Sequence, residues 1–175
     1  GREFNVLDRL SRVYPLAPRP LHYCKDEDVI GGAFYLMDRL EGIILRPQMP
    51  AEMHPAPDLM REIAYSFVKC FAELHAVDYA RAGLGDLGRA EGYVERQVHG
   101  WSKRYENAKT DEIEEMTHVA SWLAENMPQV SEASLIHNDF KYDNIMLSPD
   151  DWSKVIAVLD WEMATIGDPL MDLGT

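Results

Sequence analysis

Apolar side chains recur at helical spacing from the first residues onward: Phe4, Leu7 and Leu10, with Val6 beside them, predict a helix over Arg2–Leu10. The proline-bearing stretch 15–20 ends it, and residues 21–24 follow as a short strand. Residues 26–32 make a turn in which Gly31 and Gly32 supply the backbone freedom of a hairpin, and 33–42 run on as a strand that passes into an extended segment. A proline-rich stretch, 47–57, separates this from a long amphipathic helix. There Met60, Ile63, Ala64, Phe67, Val68, Phe71 and Leu74 share one face and are expected in the core. His75, directly after Leu74, reads as a structural hydrogen-bonding residue.

Further along, Val94, Val98, Trp101 and Tyr105 line one side of a helix predicted over 90–107, with Arg89, Arg96, His99 and Lys103 on the other as a basic stripe that could receive an anionic group. Thr110 is a good N-cap, with Asp111 and Glu112 in the positive first turn of a helix over 111–127 whose Ile113, Met116, Ala120 and Leu123 are expected to be buried. The two helices form a hairpin. Gly83-Leu-Gly-Asp-Leu-Gly88 is glycine-rich, but it lacks the Gly-Lys-Ser/Thr ending of a phosphate loop and no strand leads into it, so it reads as a plain loop. Two short, partly β-branched runs, 145–147 and 155–159, flank Ser148-Pro-Asp-Asp151, strong turn chemistry that predicts an antiparallel hairpin. Asp168 as N-cap and Pro169 as the first helical residue start one more helix.

Composition narrows the picture. A chain of 175 residues can bury one sizeable core, and a net charge of −13 argues against nucleic acid or an anionic membrane as partner. An acidic balance would suit a cationic substrate. Cys24 and Cys70 make no disulfide framework and have no metal-type neighbours, so both read as buried or half-buried thiols of a reducing, cytoplasmic compartment. No apolar run approaches the roughly 18 residues a bilayer requires.

The chemistry concentrates between residues 134 and 162. The hairpin brings Asn144, just before its first strand, to Asp160, just after its second. An amide oxygen and a carboxylate at one end of a rigid ribbon suit Mg²⁺, which takes few protein ligands and completes its shell with water and phosphate. His137 and Asp139 lie just upstream. A metallohydrolase would also use His and Asp, but no further histidines stand at ligand spacing.

His137-x-Asp139-x4-Asn144 followed by Asp160-x-Glu162 resembles the catalytic and metal-binding loops of the protein-kinase-like fold, and most closely those of the aminoglycoside phosphotransferase-like family of small-molecule kinases. Trp161-Glu162 stands where protein kinases carry Phe-Gly, which favours a small-molecule acceptor. The resemblance implies a two-lobed α+β fold, mostly helical, with residues 1–40 as part of the small lobe and hinge and 41–175 as part of the catalytic lobe. It implies Asp139 as base or orienter of the acceptor hydroxyl, Lys141 as a neutraliser of phosphoryl charge, and Asn144 and Asp160, with Glu162, around Mg²⁺. Glu3 matches the helix acid that pairs with a nucleotide-binding lysine. Met37 would guard the back of the adenine pocket, and Asp38 and Leu40 would bond the base through their backbones; as a strand residue Met37 is equally a core filler. His137 and Asp172 would support the catalytic loop. The implied co-substrate is ATP or GTP, and the acceptor a small hydroxyl compound, acyl-CoA-related or cationic. Residues 91–103 (Glu91-Gly-Tyr-Val-Glu-Arg-Gln97 through Trp101-Ser-Lys103) are similar to the subgroup fused to, or encoded beside, acyl-CoA dehydrogenases. Against the family pattern the sequence looks cut at both ends, so residues 1–175 alone are expected to bind nucleotide weakly and transfer no phosphate. The alternative is a catalytically silent nucleotide-binding or scaffold module of the same fold.

Overall fold

Helix α1 (Arg2–Leu10) turns Val6, Leu7 and Leu10 into the core and stacks Phe4 on Tyr23 and Tyr35, with ring centroids 5.5 and 6.1 Å apart. Those tyrosines belong to an antiparallel hairpin, β1 (Pro20–Cys24) and β2 (Phe34–Met37), whose turn holds Gly31 at φ +86°. In the computed structural model residues 1–46, 48, 50, 53–128 and 132–174 are described; the proline-rich stretch 47–57 lies partly outside them.

After β2 the chain runs along the edge of a second hairpin. Ile43 exchanges both backbone hydrogen bonds with Leu147 (2.9 and 2.7 Å), and a Cβ on Gly42 would collide with Met146 and with the Leu147 carbonyl, so only glycine fits this close approach. Helix α2 (Pro57–His75) buries Ile63, Cys70 and Leu74 and leans Met60, Phe67 and Phe71 on the core. Val68, expected inside, is 60% exposed, because the buried stripe runs through 63, 70 and 74 and leaves 68 roughly 140° around the helix from it. Burial pushes the Cys70 thiol up to about 12, which leaves it a packing group rather than a reactive one.

Helix α3 (Tyr93–Ala108) begins three residues later than predicted, since Gly92 takes a left-handed φ of +64° that breaks the helix behind it. Helix α4 (Glu114–Glu125) differs more. Thr110 donates its hydroxyl to the Asp111 carboxylate rather than capping a helix, residues 111–113 stay outside, and no residue of α4 is buried. Ile113, Met116 and Leu123, expected in the core, are 47, 40 and 40% exposed. Met116, Leu123 and Ala120 face α3 across an open trough.

Strand β3 (Ser134–Ile136) pairs antiparallel with β6 (Thr165–Gly167), and β4 (Ile145–Leu147) pairs with β5 (Val155–Val158) as the turn chemistry predicts. Asp168 caps the short helix α5 (Leu170–Leu173), its Oδ1 accepting the Leu170 N–H at 2.9 Å. Leu7, Leu10, Leu74, Leu135, Ile145, Val158 and Trp161 join in one core, each fully buried aliphatic side chain contributing about 2 kcal/mol. This core lies directly beneath the loops that link β3 to β4 and β5 to β6. The loop 83–88 is stapled to α1 by Arg9, which reaches the Gly83 carbonyl and Asp86 at 2.5 Å each.

Candidate active site

The loop from β3 to β4 carries Asp139, and its shape is set by what lies under it. His137 is fully buried against Trp161 (ring centroids 4.8 Å) and bonds on both ring nitrogens. Its Nε2–H donates to the Leu159 carbonyl at 2.9 Å, so Nδ1 keeps its lone pair and accepts the Asp139 N–H at 3.3 Å. That is the neutral imidazole, and burial pulls its pKa below the usual 6.5 against the opposing pull of the Leu159 carbonyl and nearby aspartates. Asp172, 3% exposed on α5, accepts the N–H groups of His137 (2.8 Å) and Asn138 (2.5 Å) and the ring of His75 (2.9 Å). One carboxylate thus holds two consecutive peptides immediately before Asp139. His75 is the structural partner its sequence position predicts.

Asp139 is half-buried. Lys141 Nζ lies 2.8 Å from each of its oxygens, and Asn144 Nδ2 donates to its Oδ2 at 2.9 Å and to its backbone carbonyl at 2.8 Å. Partial burial alone would raise its pKa, but the bonds from Lys141 and Asn144 outweigh it and hold the carboxyl below the usual carboxylate range. The Lys141 ammonium is raised by its bond to Asp139, against some desolvation, with Asp143 and Asp160 adding to the same field.

The β4–β5 register brings Asn144 and Asp160 to one end of the hairpin: Ile145 faces Val158, and Leu159 N–H donates to the Asn144 carbonyl at 2.8 Å. Asp160 stands at φ +67°, a left-handed backbone that Asp and Asn adopt more readily than other non-glycine residues, and it is exposed. Asn144 spends its amide nitrogen on Asp139, which leaves its oxygen as the end free for other partners. An amide and an exposed carboxylate carried at one end of the hairpin are hard-oxygen groups of the kind Mg²⁺ takes. No cluster of three or more His, Cys, Asp or Glu with metal-holding geometry forms among the described residues, so any shell must be completed by water and phosphate. Glu162 is exposed on the turn Trp161–Met163, and among the described residues no hydrogen bond joins it to Asn144 or Asp160.

Glu3 points at this same turn. Its Oε1 accepts the Trp161 N–H at 3.2 Å, and the Tyr35 hydroxyl is raised first by burial and then by the same Glu3 carboxylate. Met37 is 44% exposed, which sets aside its reading as a core filler. The Asp38 N–H is taken by the Arg19 carbonyl at 2.9 Å, and Leu40 follows, partly exposed, on the segment that leads to Ile43.

A cavity of about 730 Å³ is lined by Asn138, the residue before Asp139, with Met163, Tyr93, Arg89, Arg96 and Arg104. Arg89 and Arg96 come from the predicted basic stripe; Arg104, stacked 4.6 Å over Trp101, takes the place of His99 and Lys103. Arg96 bonds the carbonyls of Glu91 and Arg89 and so ties the start of α3. Trp101 and Arg104 also line the trough between α3 and α4, about 640 Å³, walled by Val94, Val98, Met116 and Leu123. Arg104 and the Tyr93–Asn138 contact escaped sequence reasoning, since the register that turns them to the cavity depends on where α3 starts.

The model of one family, described as "Phosphotransferase enzyme family", matches residues 1–175. Among curated proteins, the acyl-CoA dehydrogenase family member 11 of Gallus gallus is 42% identical over 174 residues, which cover 98% of this chain and 22% of that protein. A crystal structure from Ralstonia eutropha JMP134, described as a candidate aminoglycoside phosphotransferase, superposes with a TM-score of 0.87 at 35% identity, covering 99% of this chain and 52% of that one. The streptomycin–ATP ternary complex of APH(2″)-IIa shares the fold at a TM-score of 0.64 and 18% identity, over 98% of this chain and 57% of that one. The chain therefore spans about a fifth of the curated relative's length and about half of each solved structure's. Among the described residues no helix is long and apolar enough to cross a membrane.

Proposed function

This chain belongs to the phosphotransferase enzyme family and has the α+β, protein-kinase-like fold of the aminoglycoside phosphotransferases, and on that premise we propose that it moves the γ-phosphoryl group of ATP or GTP, with Mg²⁺, to a hydroxyl of a small molecule. The observation that carries the reading is the bonded triangle of Asp139, Lys141 and Asn144, with Asp160 across the end of the hairpin.

In this reading residues 1–40 belong to a nucleotide-covering lobe and hinge and 41–175 to the catalytic lobe. Asp38 and Leu40 bond the base through their backbones, Met37 closes the pocket behind it, and Glu3 faces the phosphate side. Asn144 and Asp160, with Glu162 nearby, would hold Mg²⁺, which would supply positive charge to offset that on the phosphate oxygens. Asp139 accepts the acceptor's O–H and orients its oxygen in line with the γ-phosphorus. Its low pKa makes it a weak base, which suits a loose transition state where the proton leaves late. Lys141, already paired to Asp139, lends its charge to the equatorial oxygens. His137 and Asp172 fix the loop so that little reorganisation accompanies the step.

For the acceptor, three arginines around the cavity at Asn138 favour an anionic group, and the apolar trough that continues from it favours an attached chain. An acyl-CoA-related hydroxyl compound has both features, and the relative's name, acyl-CoA dehydrogenase family member 11, points the same way. A cationic acceptor would meet like charge.

The test is coupled nucleotide turnover by the full-length protein with MgATP and MgGTP, against hydroxyl-bearing acyl-CoA compounds and, separately, aminoglycosides. Turnover with the first set is expected. Turnover with aminoglycosides alone would overturn the acceptor class, and none with either set would overturn the reaction.

A further inference from the structure

Three side chains from distant parts of the chain converge on one short turn, Trp161–Ala164, immediately after Asp160. From α1, Glu3 accepts the Trp161 N–H and Arg2 donates to the Ala164 carbonyl at 2.7 Å. From the catalytic loop, Asn138 donates its Nδ2 to the Met163 carbonyl at 3.0 Å. The other end of that same amide, Oδ1, accepts the hydroxyl of Tyr93 at 3.2 Å, and Tyr93 is the first residue of α3, 5% exposed. Asn138 is held at φ +64° with its N–H on Asp172, a backbone that asparagine tolerates far better than branched or bulky residues.

Each end of the Asn138 side chain is therefore spent on a different element: the acceptor-side helix through Tyr93 and the turn behind Asp160 through Met163. Tyr93, Asn138 and Met163 all line the same cavity, so whatever enters it touches the link along its length. An amide at this point can be an acceptor toward α3 and a donor toward the turn at once. A carboxylate can do only the first and glycine neither.

We propose that Asn138, with Tyr93, is a positioning residue that yokes helix α3 to the turn carrying Asp160, so that the acceptor side of the site sets the geometry of the metal side. The proposal rests on the reading of Asn144 and Asp160 as the Mg²⁺ pair. It assigns Tyr93 an effect on metal-dependent nucleotide binding although Tyr93 touches neither the metal pair nor the nucleotide side. Because its hydroxyl acts only through Asn138, its effect disappears once Asn138 is changed.

The experiment compares the full-length protein with Asn138→Asp, Asn138→Gly, Tyr93→Phe and the double variant Tyr93→Phe/Asn138→Gly. Asn138→Gly relieves the backbone and removes both bonds, Asn138→Asp removes the donor alone, and Tyr93→Phe removes one hydroxyl. Calorimetry of ATP binding across a Mg²⁺ series needs no acceptor and no turnover. The Mg²⁺ concentration for half-maximal binding should rise about tenfold in both Asn138 variants and about threefold in Tyr93→Phe, as expected for one lost hydrogen bond acting directly and indirectly. The double variant should match Asn138→Gly with no further shift. In the metal-free protein, amide exchange across 160–164 should be faster in the Asn138 variants than in the parent at equal global stability. A Tyr93→Phe midpoint equal to the parent's, or shifts that simply add in the double variant, would overturn the yoke while leaving the metal pair in place. ATP binding that is independent of Mg²⁺ in the parent would overturn the metal pair itself, and the yoke with it.

Discussion

The stretch from β3 to α5 and the α3–α4 hairpin are of similar length and lie side by side, yet they are built on opposite plans. In the first, short strands enclose loops whose polar groups are claimed by buried partners: Asp172 takes two peptides and an imidazole, His137 uses both ring nitrogens, and Asn138 and Asn144 each bridge two groups. In the second, no residue of α4 is buried and the apolar faces of both helices open onto a trough. The contrast teaches where the molecule concentrates its rigidity. Groups that would meet phosphate and metal are over-determined, whereas the apolar faces of α3 and α4 are left open to the trough.

The comparison breaks first if Asp172 proves dispensable. Asp172→Ala leaves two buried N–H groups and the His75 ring without their partner, so urea unfolding should show a loss of about 3–5 kcal/mol. A loss below about 1 kcal/mol would mean the loop stands without it. Next come two leucines chosen for their setting. Leu74→Ala, in the core, should destabilise by about 2–5 kcal/mol, and Leu123→Ala, 40% exposed on α4, by less than about 1 kcal/mol. Equal losses at the two would erase the contrast between the regions.

The smallest effect concerns pH. The folded pKa of His137 lies below its usual 6.5, so the unfolded chain takes up this proton before the native one does. Its contribution to stability is complete above about 6.5 and falls as pH drops from there toward the depressed value, by at most about 1.4 kcal/mol per pH unit. Unfolding midpoints between about pH 7.5 and 5.5 should decline more steeply in the parent than in His137→Gln. Parallel declines would show that the imidazole is not held neutral.

Much of the catalytic stretch was legible in the sequence because its signals are local. Ser148-Pro-Asp-Asp151 between two β-branched runs dictates a hairpin, and the hairpin alone brings Asn144 to Asp160. The α+β kinase-like fold came from the family resemblance that the motifs of those loops carry. Helix α4 was legible as a helix but not as a surface one, since an apolar period says that a face exists and not what covers it. Thr110 carried the chemistry of a cap, but a side-chain bond to Asp111 competed for its hydroxyl. The partners of Glu3 and Arg2 were out of reach because they are backbone groups about 160 residues away, and backbone groups leave no residue type to recognise.

The central claim, that the triangle around Asp139 is a phosphoryl-transfer site, is tested most directly by Asp139→Asn in the full-length protein, with turnover and nucleotide affinity measured on the same samples. The substitution keeps size and the loop's backbone bonds but removes the base and the partner of Lys141. Turnover should fall by about 100-fold or more while MgATP affinity stays within a few-fold of the parent's. Turnover within a few-fold of the parent would contradict the account.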